Sequence, residues 1–144
     1  MKNIYSINDL ALMSGLTTRT LRNYISVGLL KGSKGEDGTW KFTPEEVAAF
    51  FNEPFVKESV KVKYNNIVFD FLSNYNNGNR ACVILDFPTG VKEANELSAF
   101  FCEQMKDAKD ANFAFNYEKG VSRIILSGDE KQIEIIMNNF HAKH

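Results

Sequence analysis

The first thirty residues carry start and stop signals for two short helices. Ser6 can cap the first helix, and Gly15 ends it because glycine enters the left-handed conformation without steric penalty. Thr17 or Thr18 then caps a second helix that extends to about Val27. Two short helices joined by a three-residue turn that contains glycine are typical of a helix-turn-helix, so the sequence predicts this motif at the N-terminus.

A glycine-rich, basic segment follows the two helices. Residues 31–41 hold three glycines and three lysines, a composition that cannot build a core and that predicts a flexible loop or a two-stranded wing. Thr43 and Pro44 then begin a third helix, and Glu46 occupies its third position, as in a capping box. We predict that residues 1–54 form a winged helix-turn-helix domain.

A longer amphipathic helix is predicted over residues 56–75. Its apolar residues recur three and four positions apart, at Val60, Tyr64, Ile67, Val68, Phe71, Leu72 and Tyr75. Such a stripe fits either a core helix that lies on the sheet or a helix at a dimer interface. We interpret it as serving both, with one edge on the core and the rest on a partner. Residues 55–76 are therefore assigned to a connecting and dimerisation helix, with candidate dimer contacts at Val60, Tyr64, Ile67 and Phe71.

The rest of the chain alternates between strand and helix patterns. The apolar run 81–85 predicts a strand buried on both faces, and residues 91–105 have helical periodicity. Alternation over 112–126 predicts a hairpin, which a final helix follows. We predict an α+β fold in which the helix 56–75 and the rest of the chain follow the order α-β-α-β-β-α, and we assign residues 77–144 to a small α/β domain that serves dimerisation or effector sensing.

This second domain is expected to contain a three-stranded sheet with helices on one face. Right-handed crossovers and hairpin pairing favour a ferredoxin-like fold without its last strand. In the ferredoxin-like strand order the strand 81–85 lies at an edge of the sheet, and an apolar edge strand needs another segment to cover it. A strand or helix of a symmetry-related copy would supply the cover.

Charge is distributed unevenly along the chain. The net charge is −1, but residues 1–44 hold six basic and three acidic residues, a net charge of +3, and the remainder holds eleven basic and fifteen acidic residues, a net charge of −4. This asymmetry is expected when one part of a protein meets phosphate and the other does not. Because +3 is modest for a DNA-binding protein, dimerisation would help by doubling the contacts.

The sequence argues against membrane insertion. No apolar run reaches the ~18 residues of a membrane span, and no signal region opens the chain, so we expect a cytoplasmic protein with no membrane partner. Cys82 and Cys102 lie in apolar stretches and are interpreted as reduced core residues. His141 and His144, at the chain end, are interpreted as frayed surface residues.

No catalytic, cofactor or metal motif is found. The sequence has no Ser-His-Asp order, no phosphate-binding glycine loop after a strand and no metal-ligand spacing, so neither an enzyme, a cofactor nor a metal is predicted. The aromatic residues Phe113, Phe115 and Tyr117 fit core packing better than a ligand pocket. A small-molecule effector stays open.

Several motifs occur in order along residues 4–51. They are Tyr5-Ser6-Ile7, Ala11, Gly15-Leu16-Thr17, Arg19-Thr20-Leu21-Arg22-Asn23-Tyr24, Gly28-Leu29-Leu30 and Phe42-Thr43-Pro44-Glu45-Glu46. In this order and spacing the segment resembles the DNA-binding domain of MerR-type transcription regulators. One departure is Trp40, which stands where that family usually has a wing arginine, and we expect it to pack under the wing beside Lys41.

The resemblance implies a role for the basic and polar residues of the second helix and the wing. The recognition helix, residues 18–27, would enter the major groove, with arginines reaching guanine edges or phosphates and tyrosine reaching phosphate. Wing lysines would contact the flanking backbone. The candidate DNA-binding residues are Thr18, Arg19, Arg22, Asn23, Tyr24, Lys31, Lys34 and Lys41.

The resemblance predicts a sequence-specific regulator that binds double-stranded DNA as a homodimer. Two further departures leave the effector class open: the helix at 56–75 is short for the family's coiled-coil arm, and the second domain lacks the cysteine clusters of metal-sensing members. One alternative is an architectural, excisionase-like protein, which measured DNA bending would favour. Another is a protein-protein adaptor with a winged-helix fold, which a lack of salt-dependent DNA affinity would favour.

Overall fold

The computed structural model describes residues 4–75 and 77–143, so His144, the first three residues and residue 76 lie outside the described residues. In chain order the elements are β1 (Tyr5–Ser6), α1 (Ile7–Ser14), α2 (Thr18–Ser26), β2 (Ser33–Lys34), β3 (Trp40–Phe42), α3 (Pro44–Phe51), α4 (Pro54–Ser73), β4 (Arg80–Pro88), α5 (Val91–Asp107), β5 (Ala111–Glu118), β6 (Val121–Asp129) and α6 (Glu130–Lys143). The protein mixes helix and sheet, as predicted.

The ends of α1 and the start of α2 are fixed by local hydrogen bonds. The Asp9 amide donates to the Ser6 hydroxyl at 3.1 Å, and the Asp9 carboxylate accepts from the Ser6 amide at 2.9 Å, which completes a capping box. Gly15 ends α1 with a φ of 79°. The Thr17 hydroxyl accepts from the Thr20 amide at 3.1 Å and caps α2. The predicted helix, glycine turn and second helix are confirmed.

A small sheet joins the wing to the start of the chain. Its strand order is β1-β3-β2, with Tyr5 opposite Phe42 and Lys34 opposite Trp40. Tyr5 and Phe42 are fully buried, so they hold the base of the wing in the core. Of the two predicted forms of the segment 31–41, the structure has the two-stranded wing.

Helix α4 begins at Pro54, two residues before the predicted start, because proline is favoured in the first turn. Only its first half is buried deeply: Val60 is 1% exposed, whereas Phe69 is 67% exposed. Val60 was expected at a dimer contact. This was wrong, because its side chain already lies in the core of the single chain. Tyr64 is half-buried and packs against that core.

The second sheet has the strand order β4-β6-β5, and its neighbouring strands are antiparallel. Strand β4 lies at an edge and extends over Arg80–Pro88. The prediction that residues 81–85 are buried on both faces was wrong, because Ile84 is 53% exposed. A continuous apolar run does not specify which neighbours a strand has. The likeness to a ferredoxin-type fold stays a prediction.

Helices lie against both faces of this sheet, not against one face as the sequence suggested. On one face Phe101 of α5 stacks on Phe113 of β5 at 6.0 Å and on Phe140 of α6 at 5.4 Å. On the other face α4 packs over β5 and β6, where Ala114 and its partner Ile125 are buried. The sheet is therefore a central layer between two sets of helices.

One hydrophobic core connects the N-terminal and C-terminal parts of the chain. Buried side chains from α1, α3 and the start of α4 are continuous with those of the second sheet and of α5 and α6. A polar contact supports this packing, because the Tyr5 hydroxyl donates to the Asn95 carbonyl at 3.0 Å. The division into 1–54, 55–76 and 77–144 stays a prediction.

Candidate nucleic-acid interface

Helix α2 has one buried face and one exposed polar face. Leu21 is fully buried and anchors the helix. Arg19, Arg22 and Asn23 are exposed, and their spacing of three and four residues places them on the same side. This surface, which we call the α2 polar face, presents two guanidinium groups and an amide together.

Ion pairing distinguishes these two arginines from the other two. Arg123 makes two hydrogen bonds to Asp86, at 2.7 and 2.9 Å, and Arg80 pairs with Asp110. The hydrogen bonds with Asp86 raise the pKa of Arg123. Within residues 4–75 and 77–143, no carboxylate lies within ion-pair distance of Arg19 or Arg22. Both guanidinium groups therefore keep their donors available for phosphate or guanine.

Two candidate residues of α2 lie away from the centre of the polar face. The ring of Tyr24 packs edge-on against Phe55 at 5.2 Å and tilted against Phe50 at 6.3 Å. These contacts hold α2 against α3 and the start of α4. Thr18 is half-buried at the first position of α2. Contacts of Tyr24 and Thr18 with phosphate stay predictions, and they would lie at the flank of the helix.

The wing presents its lysines around a half-buried tryptophan. The Lys34 ammonium lies 5.8 Å from the centre of the Trp40 ring, a cation–π contact between opposite residues of β2 and β3. Trp40 packs against the core, as expected for a residue under the wing. Lys31 and Lys41 are exposed. The structure thus places all three lysines on the surface of this segment.

The tip of the wing is closed by a carboxylate. Asp37 accepts hydrogen bonds from the Thr39 amide at 3.1 Å and the Thr39 hydroxyl at 2.7 Å, and these bonds lower the pKa of Asp37. The positive charge of Lys41 favours the ionised carboxylate in the same direction. The wing thus carries a negative charge at its tip, near Lys41.

Sequence reasoning missed Ser26 as a member of the α2 polar face. Ser26 is exposed, and its hydroxyl donates to the Arg22 carbonyl at 3.1 Å. It follows Arg19 by seven residues, two turns along the same face, so helical spacing was sufficient to find it.

In the part of the chain that the structure describes, no three His, Cys, Asp or Glu side chains are grouped to hold a metal ion. No described helix is long and apolar enough to cross a bilayer.

Two short helices, a glycine turn between them and a basic wing define a winged helix-turn-helix. Residues 5–50 match the family model described as MerR HTH family regulatory protein, so the resemblance carried by the sequence motifs is confirmed for the N-terminal part of the chain. A helix-turn-helix of this family indicates DNA-binding transcription regulation, and the family is regulatory rather than enzymatic. The comparisons with curated proteins and with solved structures found no match.

Proposed function

We propose that the protein is a sequence-specific transcription regulator that places α2 in the major groove of double-stranded DNA. The α2 polar face carries this proposal, because Arg19 and Arg22 project from one side of a helix that Leu21 anchors. An arginine without a carboxylate partner can form two parallel hydrogen bonds to guanine O6 and N7. Asn23 lies beside the arginines and can pair with adenine in the same groove.

The wing supplies affinity that does not depend on base sequence. Lys31 and Lys34 are exposed on the segment that follows α2, where they can reach the phosphates that flank the recognised bases. Lysine binds phosphate as a point charge, so these contacts release counterions and make the affinity salt-dependent. In this proposal the arginines of α2 select the sequence, and the lysines of the wing position the domain.

The test is fluorescence anisotropy with a labelled duplex from the chain's own upstream region, at several salt concentrations. Arg19→Ala and Arg22→Ala are each expected to weaken specific binding roughly tenfold to a hundredfold. Lys34→Ala is expected to weaken binding to specific and scrambled duplexes alike and to reduce the salt slope by about one. Lys131→Ala, which removes an exposed cation from α6, is the matched control and should change neither.

Each other outcome identifies a different function. Affinity that does not change with salt would contradict DNA binding and favour a protein partner. Equal loss for specific and scrambled duplexes in Arg19→Ala and Arg22→Ala would contradict base reading by α2. Strong bending of the duplex without sequence preference would favour an architectural protein.

We also propose that the regulator acts as a homodimer. Val62, Phe69 and Leu72 are exposed on one side of α4, a stripe that water covers in the single chain. A second copy is the occupant that we infer, because the net charge of +3 on residues 1–44 is small for one DNA-binding copy and a dimer doubles the contacts. A two-fold dimer would present two copies of α2 to two half-sites. Ile67 and Phe71 are half-exposed beside this stripe.

A further inference from the structure

A groove of about 700 Å³ lies between α4 and the second sheet. Its walls come from α4 between Ser59 and Phe71, from the start of β4 and from Asn112 and Ser127, which face each other across β5 and β6. One end reaches Gly15, in the turn between α1 and α2. The groove is thus bounded by the helix-turn-helix on one side and by the C-terminal sheet on the other.

Lys63 is the main cation of this groove, which the exposed carboxylate of Asp70 also borders. Its side chain is half-buried, and its ammonium donates a hydrogen bond to the Leu12 carbonyl at the end of α1. In the described part of the chain no carboxylate lies within ion-pair distance of the Lys63 ammonium. Burial lowers the pKa of Lys63 to about 8, which reflects the cost of removing this cation from water.

An ammonium group has three donors, and the Leu12 carbonyl uses one of them. Two donors remain for another acceptor. A buried cation without a counter-ion is stabilised strongly by an anion that can reach it, because attraction is greater where water is excluded. Lys63 therefore defines the charge of a fitting ligand.

The other walls of the groove define the rest of that ligand. Asn66 and Asn112 carry amide donors and acceptors, whereas Ile67 and Phe71 supply apolar surface. Arg80 also borders the groove, but its guanidinium is already paired with Asp110. Asp70 borders the groove as well, but within residues 4–75 and 77–143 its carboxylate is not within ion-pair distance of Lys63. A half-buried cation, amides and apolar side chains together are typical of sites for small organic molecules.

We propose that this groove binds a small organic anion, whose acidic group pairs with Lys63 and whose apolar part lies against Ile67 and Phe71. The ligand would be the effector of the regulator, and only that role depends on the proposed function. Binding itself needs no DNA. Failure of the ligand test and failure of the DNA test are therefore distinguishable.

The test is a titration of the full chain with 8-anilinonaphthalene-1-sulfonate, an organic anion whose fluorescence rises in apolar sites. We expect one saturable site per chain and displacement of the probe by benzoate. Lys63→Met keeps the apolar stem and removes the charge, and it should weaken binding of the probe roughly tenfold. Lys61→Met removes a neighbouring charge that does not border the groove and should leave binding unchanged.

Two more variants keep the test decisive. Phe71→Glu places a second carboxylate in the groove, beside Asp70, so it should weaken binding even if Lys63→Met fails to fold. Ile135→Glu removes an exposed apolar side chain of α6 outside the groove, so it should have no effect. Wild-type affinity in Lys63→Met or in Phe71→Glu would overturn the proposal, as would a loss in Ile135→Glu or a failure of benzoate to compete.

Discussion

Arg19 and Lys63 illustrate how the surroundings of a cation determine its use. Arg19 is exposed and has water on most sides, so its donors can exchange water for DNA at small cost. Lys63 has lost much of its water without gaining a carboxylate, in the part of the chain that the structure describes. Neither the exposure of Arg19 nor the burial of Lys63 is visible in the sequence, where both are basic residues on predicted helices.

Lys63 should make folding stability depend on pH in an unusual direction. Burial lowers its pKa from 10.5 to about 8, so between these pH values the unfolded chain binds more protons than the folded chain. The contribution of Lys63 to the free energy of unfolding therefore rises with pH across that window. In Lys63→Met this rise should be absent when urea unfolding is measured at pH 7, 8, 9 and 10.

The measured quantity is the difference between Lys63→Met and the wild type. Burial raises the pKa of Tyr5 and of Cys82, and both groups act in the opposite direction at high pH. These contributions are common to the two proteins and cancel in the difference. A difference in unfolding free energy that is constant with pH would show that the ammonium of Lys63 is well solvated.

Gly15 should tolerate alanine less well than a comparable glycine. Both Gly15 and Gly28 follow helices with positive φ values, 79° and 82°, at which alanine is strained by about 1 kcal/mol. A Cβ at Gly15 would also lie 2.9–3.2 Å from the stem of Lys63, whereas a Cβ at Gly28 would meet nothing within 4 Å. Gly15→Ala should therefore lower the urea midpoint more than Gly28→Ala does. Equal midpoints would mean that Lys63 moves aside freely.

Among the elements, the helix-turn-helix could be predicted because its signals are local in the sequence. The packing between distant segments has no such local signal. Ser6, Thr43 and Gly15 act on residues within four positions, so the chain itself reveals the helix ends. The arginines of the α2 polar face were likewise found from motif and spacing. The packing of other segments on a strand depends on residues far away in the chain, so the exposure of Ile84 in β4 and the packing of α4 on β5 could not be predicted from the sequence.

The outer half of α4 carries the prediction about assembly. Phe69→Glu replaces an exposed apolar side chain with a charge, so it should leave the fold intact and convert a dimer into a monomer. Sedimentation velocity at about ten micromolar protein distinguishes the dimer from the monomer by mass. Asn65→Glu, an exposed polar position of the same helix, is the control and should stay dimeric. A wild-type protein that sediments as a monomer would contradict the dimer.

The whole molecule combines a basic winged helix-turn-helix with a larger, acidic C-terminal part. The shared core means that α4 and the second sheet support the helix-turn-helix directly rather than through a flexible tether. The groove beside Lys63 lies at that junction and touches the turn before α2. A ligand that changes the affinity for DNA must itself bind more or less tightly to the DNA-bound protein by the same factor.

Dimethyl sulfate protection on the upstream duplex tests the central claim directly, because the reagent methylates guanine N7, which lies in the major groove. The account predicts that wild-type protein protects a small set of guanines in two half-sites about one helical turn apart. Arg19→Ala and Arg22→Ala should each restore methylation at particular guanines, while Lys131→Ala should not. A bound protein that protects no guanine N7, or whose protection ignores both substitutions, would contradict major-groove reading by α2.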